Sequence, residues 1–361
     1  MRYSDGHVRG GRVRAGAKAL PLALAVALGV AAGTVAVGFA QQAPADRLPS
    51  ALLDVTPPSG RVSGAPGRMT IRRTPCRNTP LADVRRRIVD IAVQEWAFFG
   101  FSVVDRTNIA AANRAGQRSR RRWRRLTRTE SARVADSIAG YWAVTPQGGW
   151  ILDAQNRVWN GPRGIAARWR YPWSAAFVSW VMCEGGLGDA SRFQRAVAHH
   201  VYIDQAIRAR RTDETPAGYA AYDIGETPIA PGDLLCSARR PRYRSIAERR
   251  RQMGNGARTH CDVVVKLDRA RDRILAIGGN VRGTVALKLL PAAGGPGQDL
   301  HPVGGTRPLF AHLKLRVAPI AADAFDHTPT MRLLRCAEGF QARARLTGSH
   351  LLPDRRQATR C

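Results

Sequence analysis

Lysine is nearly missing from this chain: Lys18, Lys266, Lys288 and Lys314 are the only four in 361 residues. Acidic residues are scarce as well, 27 against 57 Lys+Arg, so the formal charge is +30 and arginine carries almost all of it. One origin of that excess is compositional, because arginine codons are GC-rich and so are those of the abundant Ala and Gly. The other is contact with a polyanion, whether nucleic acid, lipid head groups or an anionic envelope polymer. No CxxC and no HxxxH occurs, so the cysteines and histidines match no metal motif, and no metal or other cofactor is expected. Internal repeats, zinc-finger spacing and RNA-binding signatures are also missing. Composition excludes a polytopic membrane protein, a collagen-like fibre and a long coiled coil. With 44 % apolar residues, the chain is too hydrophobic to be disordered throughout.

What is present begins with an address. Arg2, Arg9, Arg12, Arg14 and Lys18 precede an uncharged stretch, residues 19–40, which is followed by small residues fit for cleavage. Uncut, such a stretch is long enough to span a bilayer, with its basic flank left in the cytoplasm. Residues 1–40 are therefore expected to be a signal peptide or membrane anchor, with membrane contact through residues 19–40. The remainder is expected to be exported, to a periplasmic or extracytoplasmic location, and this makes nucleic acid the least favoured partner. The six cysteines then sit where disulfides form. Expected pairs are Cys336–Cys361, tying down the tail, and Cys236–Cys261, which face each other if their strands pair.

Residues 41–80 hold Pro44, Pro49, Pro57, Pro58, Pro66, Pro75 and Pro80 and read as an extended tether. Globular character starts near Leu81, where Val84, Ile88, Ile91, Ala92 and Trp96 follow helical spacing. Residues 113–128 are the densest charge run, read either as a solvated face or as a docking patch for phosphate-bearing lipid or polymer. Helices are expected over 129–142, 172–184 and 191–208, the second with Pro172 in its first turn. Most of the tryptophans clustered between Trp142 and Trp180 are expected in the core. Short β-like runs follow at 233–236, 262–267, 273–277, 285–290 and 309–316. Helices first and an antiparallel meander second predict an α+β domain over 81–318, with 319–361 an unassigned tail.

One constellation can carry chemistry. If the loop Asp268–Asp272 is centred on Ala270, Leu267 faces Arg273 and His260 faces Asn280, with Cβ atoms about 4.5–5.5 Å apart. Asn280 is then placed to orient the His260 imidazole, and Gly278 and Gly279 allow close backbone approach. Ser174 stands in the first turn of the Pro172 helix, where free amides and the helix dipole stabilise developing negative charge. Cys183 lies at the wrong end of that helix to share the site, and Cys261 points to the opposite face from His260. Around this core, Trp173, Asp233, His199 and Arg239 are candidate substrate-binding residues. Arg239 belongs to the Arg-rich loop 237–258, which emerges near the cleft and is suited to anionic groups such as peptide carboxylates.

The ordered segments Pro172-Trp173-Ser174-Ala175-Ala176-Phe177-Val178-Ser179-Trp180, Pro231-Gly232-Asp233-Leu234, His260-Cys261-Asp262-Val263-Val264 and Gly278-Gly279-Asn280-Val281 carry a resemblance. Together with Glu95-Trp96, Tyr141-Trp142 and residues 198–203, the chain resembles a bacterial family designated domain of unknown function 2272, which has no established activity. More remotely it is similar to the papain-like cell-wall amidases and peptidases of the CHAP and NlpC kind. Those enzymes place a Cys after Trp at the helix start, where this sequence has Ser174. The resemblance implies a papain-like domain with helices packed on an antiparallel sheet. It also implies hydrolysis of cell-wall peptide or amide bonds by Ser174, His260 and Asn280. The competing expectation is a catalytically inactive relative that binds muropeptide or an envelope partner through the same cleft. A third is an envelope scaffold held to anionic lipid or polymer by arginine patches.

Overall fold

Two buried glutamates organise the N-terminal part of the molecule. In the computed structural model, which describes residues 44–107, 127–212, 215–295, 297–304 and 308–336, Glu95 and Glu184 have no exposed surface. A buried carboxylate must be paired or it loses its hydration without return. The partners come from the segment expected to be a tether. Arg47 makes a two-pronged bond to Glu95, at 2.6 and 2.9 Å, and Arg61, itself buried, bonds Glu184. Arg77 adds a further contact to Glu184 at 3.1 Å, and Cys76 is disulfide-bonded to Cys183. Residues 44–80 are thus a strap packed on the domain, with a small ribbon of β1 (Val62–Ser63) and β2 (Thr70–Ile71). Its proline-rich, aperiodic sequence hides this role, because the anchoring is done by single arginines and one cysteine.

The helical layer follows the expected periodicity. Helix α1 (Leu81–Phe98) precedes strand β3 (Ser102–Asp105). Helix α2 (Arg128–Ala143) starts at a capping box, in which the Thr127 hydroxyl accepts from the Glu130 amide and the Glu130 carboxylate accepts from the Thr127 amide. Next come α3 (Gly148–Trp159), a helix beyond those expected from the periodicity, and α4 (Ser174–Gly185). Every residue of α4 is buried, as befits a helix that is apolar nearly all round. It is packed between α1 and α2 on one side and the sheet on the other. Trp173, Trp180, Phe177 and Cys183 belong to this core. Helix α5 (His199–Ala209) begins eight residues later than expected.

The sheet follows: β4 (Tyr219–Tyr222), β5 (Leu234–Arg240), short helix α6 (Ile246–Arg250), β6 (Arg258–Asp268), β7 (Arg273–Val281), β8 (Thr284–Ala293), β9 (His301–Pro302) and β10 (Leu309–Leu315). Its order is β3-β8-β7-β6-β5-β10-β4, with β9 on β8, and every neighbour is antiparallel except β3 on β8. The architecture is α+β. After β10, helix α7 (Pro329–Cys336) packs back on α1, giving structure to the first part of the unassigned tail.

Val263 faces Ile277 and Val264 faces Ala276, as the hairpin arithmetic predicts. A bulge between Val264 and Lys266 then shifts the far end, so Leu267 faces Ile274 rather than Arg273. At the near end the β6–β7 ladder stops at Val263 and Ile277, and β7 itself is irregular between Gly278 and Val281. Asn280 sits in that irregularity with φ of 56°, so the expected pairing with His260 is not made.

The Cys236–Cys261 disulfide joins β5 to β6 at facing positions, as expected. Cys336 is disulfide-bonded too; Cys361 lies outside the described residues, as do residues 1–43 and nearly all of the charge run at 113–128. Among the described residues, no helix is long and apolar enough to cross a membrane, and no cluster of His, Cys, Asp and Glu could hold a metal ion.

Candidate active site

Ser174 opens α4, and Trp173 before it offers no side-chain cap, so no side chain competes for the first-turn amides. The Ser174 hydroxyl meets two imidazoles. Its Oγ lies 2.7 Å from His260 Nδ1 and 2.8 Å from His199 Nε2. His260 comes from β6 and His199 from the first residue of α5, so helix start, helix start and strand converge on one oxygen.

The far nitrogen of His260 faces a carboxylate. Nε2 is 2.9 Å from Asp262 Oδ1, and Lys288 Nζ on β8 lies 2.6 Å from Asp262 Oδ2 and 3.0 Å from the same Nε2. His260 and Asp262 are two apart on one strand, which puts them on the same face, while Cys261 between them turns to the other face and its disulfide. Gly278 makes room for the carboxylate: a Cβ there would fall 1.9 Å from Asp262 Oδ1 and 3.2 Å from His260 Nε2. The cluster is enclosed but not sealed, because Ser174 is 7 % exposed and the His260 side chain 16 %.

Charge follows from the surroundings. Burial alone would raise the Asp262 carboxyl, but His260 and Lys288 outweigh it and hold it well below the ordinary carboxylate range. Asp262 is therefore an anion at neutral pH. Burial, with His260 and Lys288 nearby, pushes His199 far below the usual histidine value, so it is neutral. Burial likewise lifts the Tyr202 phenol far above its ordinary value, leaving it a proton donor.

The expected residues separate into two groups. Ser174 and His260 are brought together, and His199 joins them as a direct neighbour of the hydroxyl rather than as a substrate contact. Asn280 is replaced as the orienting group: both ring nitrogens of His260 face other partners, Ser174 on one side and Asp262 with Lys288 on the other. Trp173 is fully buried, with its ring centroid 5.9 Å from Tyr141 and 5.7 Å from Phe99, so no ligand can stack on it. Asp233 is also fully buried, and Arg85, His312 and the Leu315 and Ala230 amides occupy its carboxylate. It holds the fold, not a ligand. Arg239 is exposed near the end of β5. Asp262, Lys288 and Tyr202 were not anticipated. Period-two alternation from His260 points to Asp262, and a lysine inside the apolar run Val285–Leu290 points to Lys288.

An α+β domain in which a helix-borne serine is hydrogen-bonded to two histidines, one of them backed by a carboxylate, is the class defined by this fold and site. Residues 131–305 match the model of the family described as "Uncharacterized protein conserved in bacteria (DUF2272)". The match takes in Ser174, His199, His260, Asp262 and Lys288, while the resemblance read from the motifs extends further, over 81–318. No curated protein and no solved structure matches the chain.

Proposed function

We propose that the domain is a serine-dependent hydrolase of peptide or amide bonds, with Ser174 as nucleophile and His260 as general base. The single observation that carries this reading is the 2.7 Å contact from Ser174 Oγ to His260 Nδ1, with Nε2 of the same ring on Asp262. Serine does not ionise near neutral pH and depends on such a base. In the reaction, the Ser174 Oγ–H proton passes to His260 Nδ1 as Oγ bonds the substrate carbonyl carbon and the carbonyl electron pair moves to oxygen. Collapse breaks the C–N bond, and His260 returns the proton to the departing amine. Water, deprotonated by the same ring, then cleaves the ester to free Ser174. Asp262 stabilises the imidazolium, and the first-turn amides of α4 favour the developing oxyanion.

The substrate proposed is cell-wall peptide or muropeptide, and the fold proposed is papain-like, of the CHAP and NlpC kind. Support comes from the order of parts: a nucleophile at a helix start after Trp, then a histidine on a later strand. Asp262 takes the place proposed for Asn280. An exported location, anchored or released by residues 1–40, is supported by the disulfides Cys76–Cys183 and Cys236–Cys261. Recognition of anionic substrate groups by the arginines of residues 237–258, a segment that takes in the end of β5 and helix α6, is a secondary proposal; Arg249 among them is buried on Asp204 and takes no part.

The test is digestion of purified peptidoglycan by the wild type, Ser174→Ala and Ser174→Cys, reading released amines and peptides. The expected result is release by the wild type and none by Ser174→Ala. Release by Ser174→Cys alone identifies a catalytically silent domain that binds muropeptide in the same cleft. Equal release by Ser174→Ala removes Ser174 from the mechanism.

A further inference from the structure

We infer that His199 is the hydrogen-bond donor that aims the Ser174 hydroxyl proton at His260. This rests on the reading of Ser174 as nucleophile, and it follows from one backbone amide, which can only donate and so fixes the tautomer of His199.

The starting point is a backbone amide. Cys261 N–H donates to His199 Nδ1 at 3.2 Å. A backbone N–H can only donate, so Nδ1 of His199 carries no proton. The Tyr202 hydroxyl meets the same nitrogen and, being a phenol, donates to it as well. A neutral imidazole lacking a proton on Nδ1 has one on Nε2, and that nitrogen is 2.8 Å from Ser174 Oγ. Oγ therefore accepts from His199. Its own proton is left for its other partner, His260 Nδ1 at 2.7 Å, which must accept. His260 then holds its proton on Nε2 and donates to Asp262 Oδ1 at 2.9 Å; the Lys288 ammonium, 3.0 Å from the same Nε2, directs its protons to Asp262 Oδ2 at 2.6 Å and not to the ring. The chain has a fixed sense, from a backbone N–H at one end to a carboxylate at the other.

Strand geometry explains why the Cys261 amide is free for this duty. Val264 N–H bonds Asp233 O on the β5 side, so alternation along β6 turns the Cys261 amide away from β5. On the β7 side the ladder has already ended at Ile277. The amide that would have bonded a neighbouring strand bonds His199 instead.

The need for such a donor follows from the nucleophile. A thiol can ionise and attack from any rotor position, whereas a hydroxyl must lose its proton to the base as it attacks. A second acceptor beside Oγ would compete with His260 for that proton, and a donor there removes the competition. His199 touches a reacting atom and acts by orienting it.

Two measurements on the full-length protein test this. Long-range proton–nitrogen NMR of histidine-labelled wild type, assigned with His199→Gln, is expected to show His199 neutral at pH 7 with its proton on Nε2. A proton on Nδ1, or an imidazolium, overturns the inference even if peptidoglycan is cleaved. The second measurement compares turnover in variants whose folding is checked by circular dichroism. His199→Gln retains an N–H donor and is expected to lose about tenfold in kcat, whereas His199→Leu is expected to lose about 100-fold, with KM unchanged in both. Equal losses, or losses confined to KM, overturn it. A wild type that neither cleaves peptidoglycan nor reacts with a fluorophosphonate at Ser174 sinks the hydrolase reading alone, and leaves the NMR result to decide the proton's position.

Discussion

The molecule contains the same three-part geometry twice. In one place Ser174, His260 and Asp262 are linked at 2.7 and 2.9 Å; in the other, Thr227 lies 3.2 Å from His312 Nδ1, and His312 Nε2 lies 2.9 Å from Asp233. Hydroxyl, imidazole and carboxylate use the same atoms in the same order. The difference lies in what surrounds them. His312 and Asp233 have no exposure, and the other acceptor sites of Asp233 are filled by Arg85 and two backbone amides. Arg85 in turn fastens the backbone of Pro231, Leu315, Val317 and Ala318. That triad is a rivet between β5, β10 and α1. The Ser174 triad has its hydroxyl at a helix start, a partly exposed imidazole and, in place of a many-handed arginine, a lysine held on Asp262 beside the ring nitrogen. A catalytic-looking arrangement of three side chains therefore says little until access and the remaining partners of each are known.

Substitutions that treat the two triads alike are expected to separate them. The largest effect belongs to Asp233→Ala, which strands Arg85 in the core; about 3–5 kcal/mol of stability is expected to be lost in urea unfolding. Asp262→Asn comes next, lowering kcat by roughly 100- to 1,000-fold in the peptidoglycan assay because the imidazolium loses its anion. A rate within a factor of three of wild type there would remove Asp262 from the mechanism. The pH dependence is smaller. His199 is held below its unfolded value, so the unfolded chain binds a proton that the folded chain refuses. Its contribution is complete above about pH 6.5 and is lost as pH falls below that. Unfolding free energy measured from pH 7.5 to 5 is expected to decline, and less steeply in His199→Leu. Asp262 acts in the same direction at lower pH: its depressed value gives stability that is present above about pH 4 and fades with further acid. The smallest effect is Thr227→Val, about 1 kcal/mol of stability with peptidoglycan release unchanged.

Legibility in the sequence tracks how local the cause is. Helix α4 was readable because an apolar run interrupted only by Ser179 marks it, although it starts at Ser174 and leaves Pro172 just outside rather than in the first turn. His260 was readable from the same hairpin whose central pairs, Val263 with Ile277 and Val264 with Ala276, fall where arithmetic puts them. Asn280 was misjudged because the two glycines before it permit an irregular strand end, and no pairing rule survives that. Asp262 lies on the same strand as His260, so cross-strand pairing does not point to it. The strap was illegible for another reason. Arg47 and Arg61 are two among dozens of arginines, and nothing in their spacing distinguishes the pair that neutralises buried Glu95 and Glu184 from the many on the surface.

Gly278 has a consequence for how relatives of this domain are to be compared. The space where its side chain would stand is occupied by the Asp262 carboxylate. A single methyl group at 278 would displace that carboxylate from His260 while every serine, histidine and aspartate stayed in place. Two chains with identical polar residues can thus differ in competence through a position that holds no functional group at all. Under the proposed hydrolase reading, the residue at 278 is therefore to be read beside the triad when relatives are compared.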